Sequence, residues 1–566
     1  MKGHISGVGH KKKGNLDEAY SLALAFQRGM ILFCVLVTSS DLGATMTTHG
    51  RNSSQSTQPA WIFRPDYGLV RACKPKALAK QVEYCWTAFC LQHFVRVHAR
   101  EFPFLHSSSW RTSWELSGKA LVMAAIGGCR IPSYGGHSRL YFDLAVHQVK
   151  SFTASLDGAE YQDAPGTATW NDAYYRRLLT SFETYILLIR YSVWSEFADL
   201  REWGIKSLAD HAITVMPRLA RVMSDNSHNS TSWLLWLLLE ESKRALWCFY
   251  CLAVKCRHFL HYSISTFEVV VGNIHLPCPD SLFEAPDEQT WTGLNNSNAP
   301  QHLIGLTVPS QIAFYYLMSQ EPMPQLTPNK VGTYTSHILL CNLLNTYETG
   351  RTSSWNFGSL DAYLDSDISC FRLRTELIRA LDYWKWLFWR DPHELWHSRH
   401  PDHQINSMML CVYLEAQMWS SSKPHLLSAS RRRAGAQLAF DLLSLISRTG
   451  FLVVGAKSPF YVEPVVYFCT RSLGQAMLAW YDSLGDVERT IGRATDDADW
   501  MLYDKILECL NRLPGTLDGF SLPRVQGGPS SPTPLSPLSF TNSLRDAIVR
   551  VWSLVTGDDK LANEGF

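Results

Sequence analysis

The sequence predicts an all-α fold, a multi-helical bundle, and three features carry that reading. Apolar residues recur at helical spacing over runs of helix length from about residue 75 to about residue 513. Runs alternating apolar and polar residues at period two, as half-buried strands do, are few. Apolar residues make up 46% of the 566 and include 20 Trp, against 18% charged, so the chain can bury a large core.

Residues 1–74 read as a poorly ordered N-terminal segment: Gly and Lys at the start, then a Ser/Thr/Gln/Asn patch over 47–58, offer little apolar surface to bury. Helices are expected over 77–100, 118–129 and 139–154. The run 171–190 follows, with Tyr174, Leu178, Phe182, Tyr185 and Leu188 at helical spacing. Residues 201–216 form the next helix and 231–262 a long one. After a connector, helices are expected over 310–318, 334–346, 369–390, 407–419, 431–446, 463–484 and 498–513. Residues 514–540 contain PSSPTPLSP and read as a Pro/Ser-rich linker, and 541–566 as a short amphipathic helix with a tail. No repeat of fixed period is present.

The connector "IHLPCPDSLFEAPDEQTW" occupies residues 274–291. Pro277 and Pro279 fix φ and remove two backbone donors, so 276–279 cannot continue a helix. Asp280 can cap a short helical turn over 281–285, which Pro286 ends. Phe283 and Trp291 are too large and apolar to be left in water, so the connector should be pinned to the helical body.

Lys plus Arg is 52 and Asp plus Glu 51, a net charge of +1. A domain that grips nucleic acid by itself carries a strongly basic face, so direct DNA binding by the body is not expected. Lys11 to Lys13 read as a solvated tail. The 14 cysteines are scattered, several inside apolar runs (Cys34, Cys129, Cys341, Cys411), which fits reduced, buried thiols. The run MILFCVLV at 30–37 is far shorter than the roughly 20 residues that span a bilayer. No membrane contact is expected.

The long helix carries Trp233, Trp236, Leu237, Glu240, Arg244 and Trp247 on one face. Glu240 precedes Arg244 by four residues, the better orientation for a helical ion pair, and its expected role is to orient neighbouring helices. Cys248 and Cys251 form a CxxC in mid-helix with no second pair at finger spacing. Cys85, Cys90, His93 and His98 lack the dozen or so residues a finger needs between its Cys and His pairs. The acidic run Asp496-Asp497-x-Asp499 has no companion magnesium motif and reads as a solvated helix N-terminus.

HELWHSRHPDH, at 393–403, fits the zincin pattern: His393 and His397 as zinc ligands, Glu394 activating water, and His403 where a third ligand would fall. His400-Pro401, however, stands where the extended motif requires a chain-turning Gly, and flanking strands are missing. A zinc metallopeptidase is thus the alternative reading; the primary one is a non-enzyme without catalytic, cofactor or metal residues.

"REFPFLHSSSW" at 100–110 leads into the small-residue run LVMAAIGGC at 121–129. Then come the Trp-rich helix with Glu240 and Arg244, and LPCPDSLFEAPDEQTW. That succession resembles the fungal-specific transcription factor domain, the middle homology region found in binuclear zinc-cluster and Cys-Cys-His-His regulators. Pro277, Cys278, Pro279 and Asp280, with Glu284 and Ala285, look like that family's closing segment, Phe283 standing where Trp is common. LDYWKWLFWRDPHELWHSRHPDHQINSMMLCVYLEAQMW, at 381–419, resembles the region after the domain in finger-type members, and makes 393–403 a loop.

The resemblance implies a regulatory domain over 75–365 with a helical region, 366–513, packed on it. It further implies a nuclear regulator of RNA polymerase II transcription. Expected partners are co-regulators, a small-molecule effector or a second copy of the chain. Promoter DNA is reached only through a zinc module: Cys34, Cys73, Cys85 and Cys90, the cysteines of residues 1–98, have no usable spacing. Zinc is accordingly a cofactor of the members that carry a finger.

Overall fold

The computed structural model describes residues 87–95, 99–106, 117–129, 135–159, 172–195, 197–226, 232–262, 274–297, 309–321, 332–353, 360–388, 401–420, 429–449, 474, 476–484, 497–511 and 548–549. Of the described residues 89% are helical, and none of them forms a strand. An isolated antiparallel bridge joins His275 and Pro309. The fold is all-α. The expected disordered segment, the Pro/Ser-rich linker and most of the last helix lie outside the described residues. The chain divides into two compact units, residues 1–99 with 107–188, and residues 100–106 with 189–566.

In the first unit, α1 (Ser117–Gly128) packs along α2 (Gly135–Ala159), and α3 (Asp172–Val193) belongs to this unit as far as Leu188. Leu121 to Ile126 are all buried, so α1 is an interior helix, apolar nearly all round. Lys119 on α1 bonds Glu183 on α3 at 2.6 Å with both side chains buried. Residues 87–95 are helical and cross α1 at Gly127, where a Cβ would lie 2.0 Å from the carbonyl oxygen of Cys90. Only glycine admits that approach.

In the second unit follow α4 (Ala198–Asn226), α5 (Trp233–Leu260), α6 (Asp280–Phe283), α7 (Glu288–Ser297) and α8 (Ser310–Ser319). Next come α9 (Thr333–Ser353), α10 (Leu360–Phe388), α11 (Pro401–Ser420), α12 (Ala429–Thr449) and α13 (Asp497–Asn511). Helix α9 is the hub and packs on α5, α10 and α11; α4 packs on α5, and α12 joins α11 to α13. From Trp236 to Phe259 nearly every α5 side chain is buried, charged ones included. Trp236 and Trp247 are buried; Trp233, also expected inside, is half-buried at the helix start.

Several elements differ from expectation. Helices α2, α9 and α10 extend beyond the expected 139–154, 334–346 and 369–390, chiefly at the start of α10. Three further differences have a clear physical reason. Helix α4 does not stop at residue 216 but runs through Pro217. Leu208, Ala212, Val215, Met216 and Leu219 keep one buried stripe across it, and that burial outweighs the lost hydrogen bond. Helix α11 begins at Pro401, a residue suited to the first helical position, so 401–403 are helical and not loop. The connector holds an unexpected helix, α7, whose start is capped by the Asp287 carboxylate accepting the Thr290 N–H at 2.8 Å.

Candidate functional site

Cys278 carries the only backbone N–H in Pro277-Cys278-Pro279, and it donates to Glu240 Oε1 at 2.9 Å. The segment's carbonyls are matched as completely. Trp247 Nε1 donates to the His275 carbonyl at 2.9 Å, Thr335 Oγ1 to Pro277 at 3.2 Å and Arg244 Nη2 to Cys278 at 2.7 Å. A buried extended segment must satisfy its polar backbone from outside, and two prolines reduce the donors to one. Helices α5 and α9 supply the rest.

Arg244 is the centre of this joint and 2% exposed. Its Nε donates to Glu240 Oε1 and its Nη1 to Asp280 Oδ1, both at 3.1 Å, with Nη1 also 3.3 Å from the Pro103 carbonyl. The guanidinium carbon lies 4.0 Å from the centre of the Phe283 ring, a cation–π contact. Lys243 bonds the other Glu240 oxygen at 2.6 Å, so two carboxylates face two cations. Burial alone would raise the Glu240 carboxyl; Lys243, Arg244 and the Cys278 N–H outweigh it and hold it below its ordinary value. Burial opposes the Arg244 charge too, yet Asp280, Cys278 and Glu240 push its pKa up.

Asp280 does not cap α6, which begins at Asp280 itself behind Pro279 and has no side-chain cap. Its Oδ2 instead accepts the Thr333 N–H and Oγ1–H, each at 3.0 Å, and so caps α9 from 53 residues upstream. The carboxylate meets the positive end of the α9 dipole. Gly332 leaves it room: a Cβ there would lie 2.8 Å from Asp280 Oδ2. Glu284 is half-buried and Ala285 buried at the end of α6. Cys278, Leu282 and Phe283 form one apolar cluster with Trp236 and Leu237, on which Trp233, Trp291 and Leu294 pack. His106 stands edge-on to Phe283 at 5.2 Å and to Trp233 at 6.4 Å. Burial holds its imidazole down at about 4; the Ala285 backbone and the Glu284 charge offset part of this, and Arg244 adds to it.

The joint is the first layer of a longer seam. Tyr334 donates to the Arg244 carbonyl at 3.1 Å, and Glu348 bonds His258 at 2.8 Å, both pairs 90 residues apart. Cys341 faces Cys251 at the same offset, 341 − 251 = 90. Helices α5 and α9 therefore run parallel and in constant register over two heptads, about 21 Å at 1.5 Å per residue. Helix α11 closes the seam: Tyr413 OH bonds His258 Nε2 at 2.7 Å, and Ser407 Oγ bonds His337 Nδ1 at 3.1 Å. No protein family, curated protein or solved structure matches this chain.

Among the described residues, the charge-balanced joint and the middle of the seam both gather groups capable of chemistry. In the latter, the ligating atoms of Cys251, His337 and Cys341 lie within 4.8 Å of one another and all three residues are buried. Of the alternative zinc residues, His393, Glu394 and His397 lie outside the described residues, and His403 falls in the first turn of α11. Cys90 is buried against Gly127 and Gly128; Cys85 and His98 lie outside the described residues. Asp499, expected in a solvated helix start, is buried: Arg433 grips it at 2.7 and 2.9 Å and Trp480 Nε1 donates to it at 2.9 Å. Sequence reasoning missed the α9 and α11 contributions to the seam. The signal for α9 was the seven-residue spacing of Arg244, Cys251 and His258 against Tyr334, Cys341 and Glu348; the α11 residues Ser407 and Tyr413 carried none.

Proposed function

We propose that this chain is a nuclear regulator of RNA polymerase II transcription of the fungal-specific transcription factor type. Its helical body acts as an inhibitory or effector-responsive module and is not an enzyme. The observation that carries the reading is the Arg244 joint. The residues whose order resembles the middle homology region, Glu240, Arg244 and Pro277 to Asp280, meet in one buried network. Through it, four chain segments are committed to one arrangement. Losing one partner leaves an uncompensated buried charge, costing about 3–5 kcal/mol, so a change at one segment is felt by the others.

Promoter contact falls to a zinc module, because a net charge of +1 supplies no counterion-releasing grip on phosphates. Co-regulators, a small effector or a second copy of the chain are the partners of the body. The test is to tether residues 1–566 to a heterologous DNA-binding domain and measure reporter output against that domain alone, at matched protein levels. A change in output that Arg244→Met abolishes is expected. Output indistinguishable from the bare domain contradicts the reading.

A further inference from the structure

We propose that Cys251, His337 and Cys341 hold a single thiophilic d10 cation, zinc(II) or copper(I), in the middle layer of the seam. The layers on either side are matched ion pairs or hydrogen bonds: Arg244 with two carboxylates, His258 with Glu348 and Tyr413. The middle layer has a different chemistry, two sulfurs and one imidazole with no carboxylate among the three. Thiolate and imidazole donors select zinc and copper(I), whereas magnesium, calcium and manganese require oxygen.

The geometry fits such an ion. With metal–sulfur near 2.3 Å and metal–nitrogen near 2.0–2.1 Å, a trigonal or tetrahedral centre puts its donors roughly 3.6–4.0 Å apart. Cys341 Sγ and His337 Nε2 already stand 3.7 Å apart, one helical turn from each other on α9. Cys251 meets them from α5. The His337 ring is held from behind by Ser407 on α11, which bonds Nδ1. With Nδ1–H donating to that hydroxyl, the Nε2 lone pair faces the sulfurs, the arrangement in which metal-binding histidines are normally fixed. Binding displaces one proton from each thiol, leaving two thiolates and one neutral imidazole around the cation. Copper(I) is satisfied by these three donors. Zinc(II) would complete its sphere with a fourth donor from outside this group, such as a water molecule.

The test uses the full chain purified under reducing conditions without chelator and then loaded with zinc(II), copper(I) or cobalt(II) alone. Elemental analysis should find about one equivalent, and its identity separates zinc from copper. Cobalt(II) should give thiolate charge-transfer absorption in the folded wild-type chain, which needs no variant. Cys341→Ser and Cys251→Ser should lose the ion, and Ser407→Ala should weaken binding by about 10–100-fold. His397→Ala should leave it in place, which separates this site from residues 393–403. A folded wild-type chain that takes up none of the three metals, a Cys251–Cys341 disulfide in their stead, or uptake indifferent to Cys341→Ser would each overturn the proposal.

Discussion

Arg244 shows why a buried charge can be tolerated in a helix lined with tryptophan. Its guanidinium reaches Glu240, Asp280 and two backbone carbonyls, and no single-point cation can match that fork. Arg244→Met should therefore cost about 3–5 kcal/mol in denaturant unfolding, because Glu240 and Asp280 lose the cation they share and Lys243 alone is left against two carboxylates. Arg244→Lys should recover only part of it. His106 makes a pH prediction. The unfolded chain takes up its proton below about 6.5, the folded chain only near 4, so the unfolded state binds more protons in between. Stability should thus be flat above pH 6.5 on this account and fall by about 3 kcal/mol as pH drops toward 4. His106→Gln should flatten that slope; an unchanged slope would place the titration elsewhere.

Elements were legible where burial is one-sided and long. The one-sided apolar period of α2 and α12 gave their existence, and α3 and α5 were legible as long apolar runs, while Pro217 misled because propensity is a local rule and the buried stripe of α4 is not. The α7 cap, Asp287, was visible in the sequence; its helix is short and weakly apolar, so periodicity alone could not raise it. Glu240 and Arg244 were recognisable as a pair on one helix, but Asp280 was read as a local cap. Nothing in its neighbourhood reveals that Thr333, 53 residues on, needs a carboxylate. Gly332→Ala tests this long-range cap. It should destabilise the chain by about 1–3 kcal/mol through its clash with Asp280, and much less in an Asp280→Ser background. The α5–α9 register is tested by His258→Leu and Glu348→Leu. Each alone should cost more than its share of the double substitution, with a coupling of about 0.5–3 kcal/mol; additive losses would mean that the pair does not act as one unit.

At the scale of the whole molecule, helical periodicity and the scarcity of alternating runs gave the all-α class, whereas the meeting of α5, α9 and α11 depends on packing between segments far apart in sequence. Among the described residues no helix is long and apolar enough to cross a membrane. Residues 1–566 alone should show no sequence-selective complex with duplex DNA in a gel-shift assay at about 150 mM salt; a discrete, competitor-resistant band would reveal a DNA-reading surface. The central claim is that the Arg244 joint holds the Pro-Cys-Pro-Asp segment between α5 and α9. Hydrogen exchange over residues 274–285 and the first turn of α9 measures it most directly. Slow exchange is expected for the Cys278 amide, at least tenfold faster in Arg244→Met, with α1 and α2 unchanged. A Cys278 amide that exchanges at the free-peptide rate in the wild-type chain, or that ignores Arg244→Met, would contradict the account.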